Sequence, residues 1–291
     1  MKRFFILFFI TVLNICFCLP SDAIKIGLQT SVSQSAIACS DGGVIIDNET
    51  GKAIAKVLKM KPYHIKASGN EITIKNNNKY HSINTGSITL KPVSGFVSVK
   101  GKWYRGKLVV NASKGKLTVI NDIDLENYLK GVVPSEMPSK WNIEAHKAQA
   151  IAARSYAVAN LGKRASLGYD LKDTPEDQAY GGASVESTRT TRAVKETNGI
   201  VITYNKKIIP AYYHASSGGH TVNSGEVWNM DLPYLRSVPS FDSNLSKNGH
   251  GVGMSQQGAN NLASKGYNAY QILMYFYNNV HFGKLRPEWG L

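Results

Sequence analysis

A single glutamate placed between two prolines constrains this chain more than any other feature. Residues 125–160 contain two predicted helical segments, and apolar residues of the first recur at the spacing of one helix face: Leu125, Tyr128, Leu129 and Val132. Pro134 is expected to end this helix, because the residue before a proline is pushed out of the helical region. Glu136 then lies in the break between Pro134 and Pro138.

The second predicted helix begins near Asn142, which can cap it, and runs to about Asn160. Residues 142–160 contain seven alanines, which favour the helix and let other elements pack close to it. Glu136 is thus a carboxylate on a rigid support, as a catalytic acid requires. Its apolar neighbours are expected to raise its pKa so that it holds a proton near neutral pH: Val132, Val133 and Met137. The alternative is a solvated loop glutamate.

Composition indicates an ordinary globular protein with a basic surface. The 291 residues are 43% apolar, enough for one large domain or two small ones. The net charge is +14, and removing Lys2, Arg3 and Asp22 with residues 1–23 leaves +13. The positive charges are scattered and form no nucleic-acid motif, so we expect no nucleic acid partner. A polyanionic cell wall is the favoured partner, and solubility alone is the alternative.

Residues 1–23 are predicted to be an export signal. A charged start at Lys2-Arg3 precedes the apolar run of residues 4–19, and Ser21-Asp22-Ala23 provides a cleavage site after Ala23. We therefore expect a secreted protein that faces the cell wall, and anchoring in the membrane by uncleaved residues 4–19 is the alternative. Outside the signal only Cys39 remains, which predicts a buried free thiol.

The rest of the chain predicts an α+β fold. Residues 24–95 read as a β-rich region, since short alternating runs are separated by Gly and Asn turns. Residues 96–291 read as a mixed helix and sheet core with a substrate groove. No linker-like composition separates the two regions, and the boundary is set near residue 95.

Two further segments carry polar residues on glycine-rich loops. Residues 213–221 place serines, histidines and glycines at a strand end, which suits close approach of a sugar. Residues 249–259 contain Gly-His-Gly-Val-Gly. In a dinucleotide loop the Gly-x-Gly is followed by another glycine three positions later, within a βαβ unit, and this segment has neither feature. A tight loop that leads into a helix near Met254 is the better interpretation.

These segments together resemble the SpoIID/LytB family, named for stage II sporulation protein D and the amidase modifier LytB. The resemblance rests on the run from Leu125 to Pro138, on Ala148-Gln149-Ala150 and on residues 152–157. Residues 173–182, 213–221 and 249–259 add to it, and weaker similarity extends from about Ile24 to the C-terminus. The resemblance implies that Glu136 is the catalytic acid and base of a peptidoglycan lytic transglycosylase, which remodels the septal wall during engulfment in sporulation.

The resemblance also bears on metals. Some family members bind zinc through cysteines near the loop at residues 173–182, where this chain has Lys172 and Asp177. We therefore expect no metal and no other cofactor, with a carboxylate site formed by Asp173 and Asp177 as the alternative.

The expected substrate-binding residues are polar or glycine residues of these motifs: Ser135, Arg154, Gln178, Tyr180, His214, Ser216, Ser217, Gly219, His250, Gly251, Gly253, Ser255 and Gln256. The expected partner is the peptidoglycan glycan strand. Arg154 is open to two interpretations, a contact with a substrate carboxylate or an internal salt bridge.

Three other functions stay open. A glycoside hydrolase would need a second carboxylate from Glu226, Asp177 or Asp173. A LytB-like protein would have no catalysis of its own and would enhance an N-acetylmuramoyl-L-alanine amidase. A serine hydrolase would use His214 with Ser216 or Ser217, but these residues lack the strand–turn–helix setting of a nucleophile elbow.

Overall fold

The computed structural model describes residues 23–76 and 79–285, so the predicted export signal lies outside the described residues except for Ala23. The described residues of the first half form twelve strands: β1 (Ala23–Val32), β2 (Gln34–Cys39), β3 (Gly43–Asp47), β4 (Ala53–Val57), β5 (Tyr63–Ser68), β6 (Glu71–Asn76), β7 (Lys79–Ser82), β8 (Ser87–Pro92), β9 (Val97–Val99), β10 (Lys102–Tyr104), β11 (Lys107–Ser113) and β12 (Lys116–Asp124).

Helices and short strands alternate in the second half. The helices are α1 (Leu125–Glu136), α2 (Ile143–Ala159), α3 (Thr188–Glu196), α4 (Ser224–Val227), α5 (Gln256–Ser264) and α6 (Ala269–Phe276), with 3-10 turns at Ala165–Leu167 and Gly182–Val185. The strands are β13 (Leu171–Lys172), β14 (Ile200–Tyr204), β15 (Lys207–Ile208), β16 (Tyr213–His214), β17 (Met254–Ser255) and β18 (His281–Lys284). The predicted α+β class, with a β-rich first part, is confirmed.

Two sheets form the β-rich part. One has the strand order β13-β1-β12-β11-β8-β3-β4 and the other β10-β9-β2-β5-β6-β7. Every second residue of a strand points inward, as in β8, where Ile88 and Leu90 are buried. Pairing of β8 with β11, and of β1 with β12, crosses residue 95. Strands from both predicted regions therefore share one sheet, and the boundary at residue 95 stays a prediction.

Helix α1 carries Glu136 as its last residue. Its predicted face is confirmed, since four apolar side chains are buried: Leu125, Tyr128, Leu129 and Val132. Asp124 caps its start by accepting a hydrogen bond from the Asn127 amide. Asn142 caps α2 as predicted, by accepting one from the Glu144 amide.

The prediction that Pro134 ends the helix is wrong, because α1 continues for two more residues. A proline in the last turn removes only one intrahelical bond, from residue 134 to the carbonyl of residue 130. The neighbouring bonds remain, as the Met137 amide donates to the Val133 carbonyl (3.0 Å) and the Ser135 hydroxyl to the Gly131 carbonyl (2.7 Å). The Gly181 amide also donates to Gly131 (3.3 Å). Glu136 is therefore on the helix itself and not in a break.

Helix α2 separates two hydrophobic cores. Ala150 and Ala153 belong to the core that reaches into the two sheets. Ile151 and Ala152 belong to a second core, formed largely by the C-terminal helices. A helix covered on both sides needs small residues, which explains its alanines. Within the described residues, no helix is long and apolar enough to cross a membrane.

Several elements of the second half are short. Helix α3 begins at Thr188, after Ser187 caps it. Strands β15 and β16 are separated by a segment that contains Pro210, which cannot donate to a ladder. Asn205 and Lys206 form the turn between β14 and β15, with φ of +49° and +65°.

Of the two interpretations of Arg154, the structure shows the internal salt bridge. Its side chain is fully buried, and its guanidinium donates to both carboxylate oxygens of Glu126 (2.6 and 2.8 Å) and to the Ile200 carbonyl (3.0 Å). The Gly199 amide also donates to Glu126 (3.2 Å). This pair ties α1, α2 and β14 together, and neither of its residues lines the cleft described below.

We expect Glu126→Ala to lower the free energy of unfolding by about 3–5 kcal/mol, because it leaves a buried guanidinium without its carboxylate. Denaturant unfolding of the purified variant measures this loss. Asp231→Ala is the control, since Asp231 pairs with Arg236 at the surface and exposed pairs contribute about 0–1 kcal/mol. Equal losses in the two variants would contradict a structural role for the Arg154 pair.

Candidate active site

Glu136 lines a cleft of about 590 Å³ between the loop that follows α2 and the segments at residues 212–215 and 248–250. Four residues predicted to act on substrate line this cleft: Glu136, His214, His250 and Gln256. Several polar and aromatic lining residues were not predicted as site residues, among them Tyr156, Lys163, Tyr212, Tyr213, Trp228 and Asn248. Tyr212 and Tyr213 stand directly before His214, so aromatic residues beside that motif were the signal for them.

Three hydrogen bonds orient the Glu136 carboxylate. The Ala179 amide donates to Oε1 (2.7 Å) and the Tyr213 hydroxyl approaches the same oxygen (3.4 Å). The Gln256 side-chain amide donates to Oε2 (3.0 Å). Burial raises the pKa of Glu136, and the three hydrogen bonds oppose this rise without cancelling it. The raised pKa predicted from its apolar neighbours is thus present in the structure.

Gln178 decides which way the Tyr213 proton points. The Gln178 Nε2 donates to the Ala153 carbonyl (3.2 Å) and to the Tyr213 hydroxyl oxygen (2.9 Å), while its Oε1 accepts from the Tyr128 hydroxyl (3.1 Å). A carbonyl can only accept, so the Ala153 carbonyl fixes the orientation of the amide. Tyr213 therefore accepts from Gln178 and keeps its own proton for Glu136. Gln178 lies behind the cleft and acts through Tyr213.

His214 and His250 lie side by side at the cleft, with ring centroids 5.5 Å apart. The Nδ1 of His214 faces the Val252 carbonyl (3.2 Å), so it carries the proton, and Nε2 accepts from the Ser217 hydroxyl. Burial, followed by the neighbouring His250, lowers the pKa of His214 to about 4. Burial also lowers the pKa of His250. Both shifts favour the neutral form of the rings.

Ser217 stands where a serine hydrolase would need its nucleophile, but it is buried and is not among the residues that line the cleft. Its hydroxyl is engaged by His214 within the loop. The other serine of that motif, Ser216, donates to the Ser246 carbonyl (2.7 Å). Both serines therefore hold the loop together.

Asp242 organises this side of the cleft, and sequence reasoning missed it. Its buried carboxylate accepts from the Ser217 amide (2.8 Å), the Gly219 amide (2.9 Å), the Ser255 hydroxyl (2.7 Å) and the Ser240 hydroxyl. Its partners lie up to 25 residues away, and no local pattern marks an aspartate for such a role. Three predicted substrate residues, Ser217, Gly219 and Ser255, instead hold this carboxylate.

The remaining predicted residues also support the cleft from behind. Ser135 accepts from the Gly181 amide (3.0 Å), and the buried Tyr180 hydroxyl donates to Asn121 (2.9 Å). Gly251 and Gly253 have φ of +83° and +74°. A Cβ on Gly253 would lie 2.1 Å from the Tyr212 carbonyl oxygen, so only glycine lets the loop approach Tyr212 this closely.

Only one of the three proposed second carboxylates lies in the cleft, and it is Asp177. Lys163, Arg164, the Lys172 amide and the Tyr156 hydroxyl all contact its carboxylate. Burial acts to raise the pKa of Asp177, and these partners outweigh burial so that the pKa is lowered. Asp173 pairs instead with Lys100 (3.1 Å), and the exposed Glu226 contacts Asn223.

In the part of the chain that the structure describes, no group of three or more His, Cys, Asp or Glu side chains could hold a metal ion. The expected absence of a metal stays a prediction. Cys39 is buried as a free thiol, and burial raises its pKa to about 11, so the lone thiol is not a nucleophile.

Comparison with known proteins supports the resemblance. Residues 113–204 match the SpoIID family, described as stage II sporulation protein. The chain is 37% identical over 179 residues to the amidase enhancer of Bacillus subtilis, a match that covers 60% of this chain and 24% of that protein. It is 38% identical over 136 residues to stage II sporulation protein D of Bacillus subtilis, covering 42% and 40%. An uncharacterized protein of Brachyspira hyodysenteriae is 36% identical over 158 residues, covering 54% and 43%.

The matched part of the chain thus spans less than half the length of each of these curated relatives. The family match ends at residue 204, before the segments that supply Tyr213, Gln256 and Asp242. It includes Glu136 and the two helices that hold it.

We expect Asp242→Asn to lower the free energy of unfolding at neutral pH by about 2–3 kcal/mol, because an amide cannot accept all four hydrogen bonds. The pKa of Asp242 is lowered in the folded protein, since its hydrogen bonds outweigh the effect of burial. Its contribution is therefore complete above the ordinary pKa of about 3.9 and is lost as pH falls through the lower folded value.

Denaturant unfolding at several pH values checks this, with Asp231→Asn at the surface as control. The stability gap between the original protein and Asp242→Asn should close as the solution becomes more acidic than about pH 3.9. A gap that stays constant down to pH 2 would show that Asp242 does not act through its charge.

Proposed function

We propose that this chain, whose residues 113–204 match the SpoIID family, is a peptidoglycan lytic transglycosylase with Glu136 as its acid and base. It would cleave the bond between N-acetylmuramic acid and N-acetylglucosamine and leave 1,6-anhydro ends, in wall remodelling at engulfment. The observation that carries the proposal is a half-buried carboxylate with a raised pKa on the wall of a cleft. The export signal predicted at residues 1–23 agrees with a substrate outside the cytoplasm.

The reaction needs one carboxyl group that acts twice. Protonated Glu136 donates its proton to the glycosidic oxygen, which leaves as the C4 hydroxyl of N-acetylglucosamine. The resulting carboxylate takes the proton from the C6 hydroxyl of the muramic acid. The C6 oxygen then bonds to the anomeric carbon and closes the anhydro ring, so the carboxyl is protonated again. Water is not the acceptor, and no second carboxylate is required.

The hydrogen bonds assign different tasks to the two oxygens of Glu136. Oε1 faces two donors, the Ala179 amide and the Tyr213 hydroxyl. An oxygen that already accepts two hydrogen bonds is a poor place for a further proton, so the transferable proton belongs on Oε2. Gln256 is the one hydrogen-bond partner of Oε2 among the described residues, and it can stabilise the carboxylate formed after proton transfer.

The state of Asp177 also favours a transglycosylase over a hydrolase. Its side chain is fully buried beneath Lys163 and Arg164, and its pKa is lowered. A carboxylate in two ion pairs is a weak base and a poor nucleophile toward an anomeric carbon. Of Glu136 and Asp177, Glu136 is therefore the one whose pKa shift favours holding a proton.

We expect Glu136→Gln to abolish release of anhydro-muramic products, because an amide can neither donate nor accept the proton. Mass spectrometry of muropeptides released from native sacculi, and from glycan strands stripped of peptide by an amidase, measures this. Glu226→Gln serves as the matched control, since Glu226 lies outside the cleft, and it should retain activity. Reducing muramic ends in place of anhydro ends would identify a hydrolase and overturn the proposal.

We expect Tyr213→Phe to move the alkaline limb of the pH–rate profile to higher pH. The Tyr213 hydroxyl stabilises the charged form of Glu136, so its removal raises the pKa of Glu136 further. The acid then stays protonated at higher pH. Tyr156→Phe is the control, because that hydroxyl lies in the same cleft but contacts Asp177. A rate lowered equally at every pH would mean that Tyr213 acts only through packing.

A second function, enhancement of a wall amidase, is favoured by one observation. The relative that this chain matches over 179 residues is named an amidase enhancer. In that case the chain would bind wall or amidase, and Glu136 would have no chemical task.

The two functions predict opposite results for one assay. Under the enhancer function, Glu136→Gln should raise the activity of an added N-acetylmuramoyl-L-alanine amidase on sacculi as much as the unmodified protein does. Under the transglycosylase function, any stimulation should arise from glycan cleavage and disappear in Glu136→Gln. Amine release by the amidase, measured with each form of the protein, separates them.

A further inference from the structure

Five rings form one continuous surface along the cleft that contains Glu136. We call it the aromatic wall, and its members in spatial order are Tyr156, Tyr212, Trp228, His250 and His214. Consecutive ring centroids are 5.6, 4.5, 5.2 and 5.5 Å apart. All four separations lie within the range of direct aromatic contact, about 4.5–7 Å. The transglycosylase reaction described above uses none of these rings.

The centre of the aromatic wall combines an apolar face with free polar edges. Tyr212 and Trp228 are both half-buried. Within residues 23–76 and 79–285, Tyr212 and Trp228 form hydrogen bonds through their backbone groups alone, so the Tyr212 hydroxyl and the Trp228 indole nitrogen have no partner there. Glu176 and Asn248 are polar residues that line the same cleft. A pyranose ring has matching chemistry, since it presents C–H groups on its face and hydroxyl groups around its rim.

The aromatic wall is held rigid by contacts from behind. The Trp228 amide donates to the Ser224 carbonyl (2.8 Å), which fixes it at the end of α4. The Tyr212 carbonyl accepts from the Met254 amide (3.1 Å) and from the buried Tyr277 hydroxyl (2.7 Å). Binding to a surface that is already ordered loses little conformational entropy.

We propose that Trp228 and Tyr212 form a sugar subsite, on which one pyranose ring of a β-1,4-linked N-acetylhexosamine strand stacks while the neighbouring linkage lies at Glu136. The choice of carbohydrate as ligand rests on the proposed function. The subsite itself rests on the ring contacts and on the shared cleft. Stacking contributes affinity that does not depend on the protonation of Glu136.

The test uses the protein carrying Glu136→Gln, so that a bound strand stays intact. Calorimetric titration measures its affinity for tetra-N-acetylchitotetraose and for glycan strands stripped of peptide. Adding Trp228→Ala should weaken binding of both probes by roughly five- to tenfold, as expected for loss of one stacked ring. Adding Trp228→Phe should preserve most of the affinity, because a ring remains.

Trp103→Ala is the matched control, since Trp103 lies on β10 and outside the cleft, and it should leave binding unchanged. Circular dichroism of each variant checks that it is folded. Trp228→Ala that binds as tightly as its parent would overturn the subsite, and so would absence of binding by the parent to either probe. Binding with the expected losses, but without glycan cleavage by the unmodified protein, would support the subsite and remove only the transglycosylase.

Discussion

The close packing of α2 between two hydrophobic cores is the constraint on which the cleft depends. Ala150 and Ala153 face one core and Ile151 and Ala152 the other, so any larger side chain would have to push one core away. The Ala153 carbonyl also orients Gln178, which in turn directs the Tyr213 proton to Glu136. The hydrogen bonding of Glu136 is therefore coupled to the packing of α2, although Ala153 itself does not line the cleft.

Two carboxylates in the same cleft show how the balance between burial and pairing sets their roles. Burial of Glu136 is opposed by three neutral donors, and its pKa is raised. Burial of Asp177 is opposed by two cations, and its pKa is lowered. Neutral donors stabilise a carboxylate less than full positive charges do. Glu136 therefore keeps its proton to higher pH than an ordinary glutamate does, while Asp177 stays ionised to lower pH than an ordinary aspartate and orders the loop around it.

The sequence predicted the features that depend on neighbouring residues. Helix face spacing, the Asn142 cap and the apolar surroundings of Glu136 are all local, and each is present in the structure. The predicted end of α1 at Pro134 was wrong, because a hydrogen bond from the Gly181 amide stabilises the turn that contains this proline. The role of Asp242 could not be predicted from the sequence, because the groups that donate hydrogen bonds to its carboxylate come together only after the chain has folded.

Most polar residues of the motifs that resemble the SpoIID/LytB family support the cleft and do not line it. Arg154, Tyr180 and Ser255 each bond to another part of the protein, and a wall-binding enhancer needs that scaffold as much as an enzyme does. Their presence therefore cannot separate the two functions. The distinction depends on groups that face the cleft. Glu136 presents there an oxygen with a single hydrogen-bond partner among the described residues, and an enhancer gains nothing from burying a carboxylate at the cost of its solvation. That cost is the strongest physical reason to assign chemistry to this cleft.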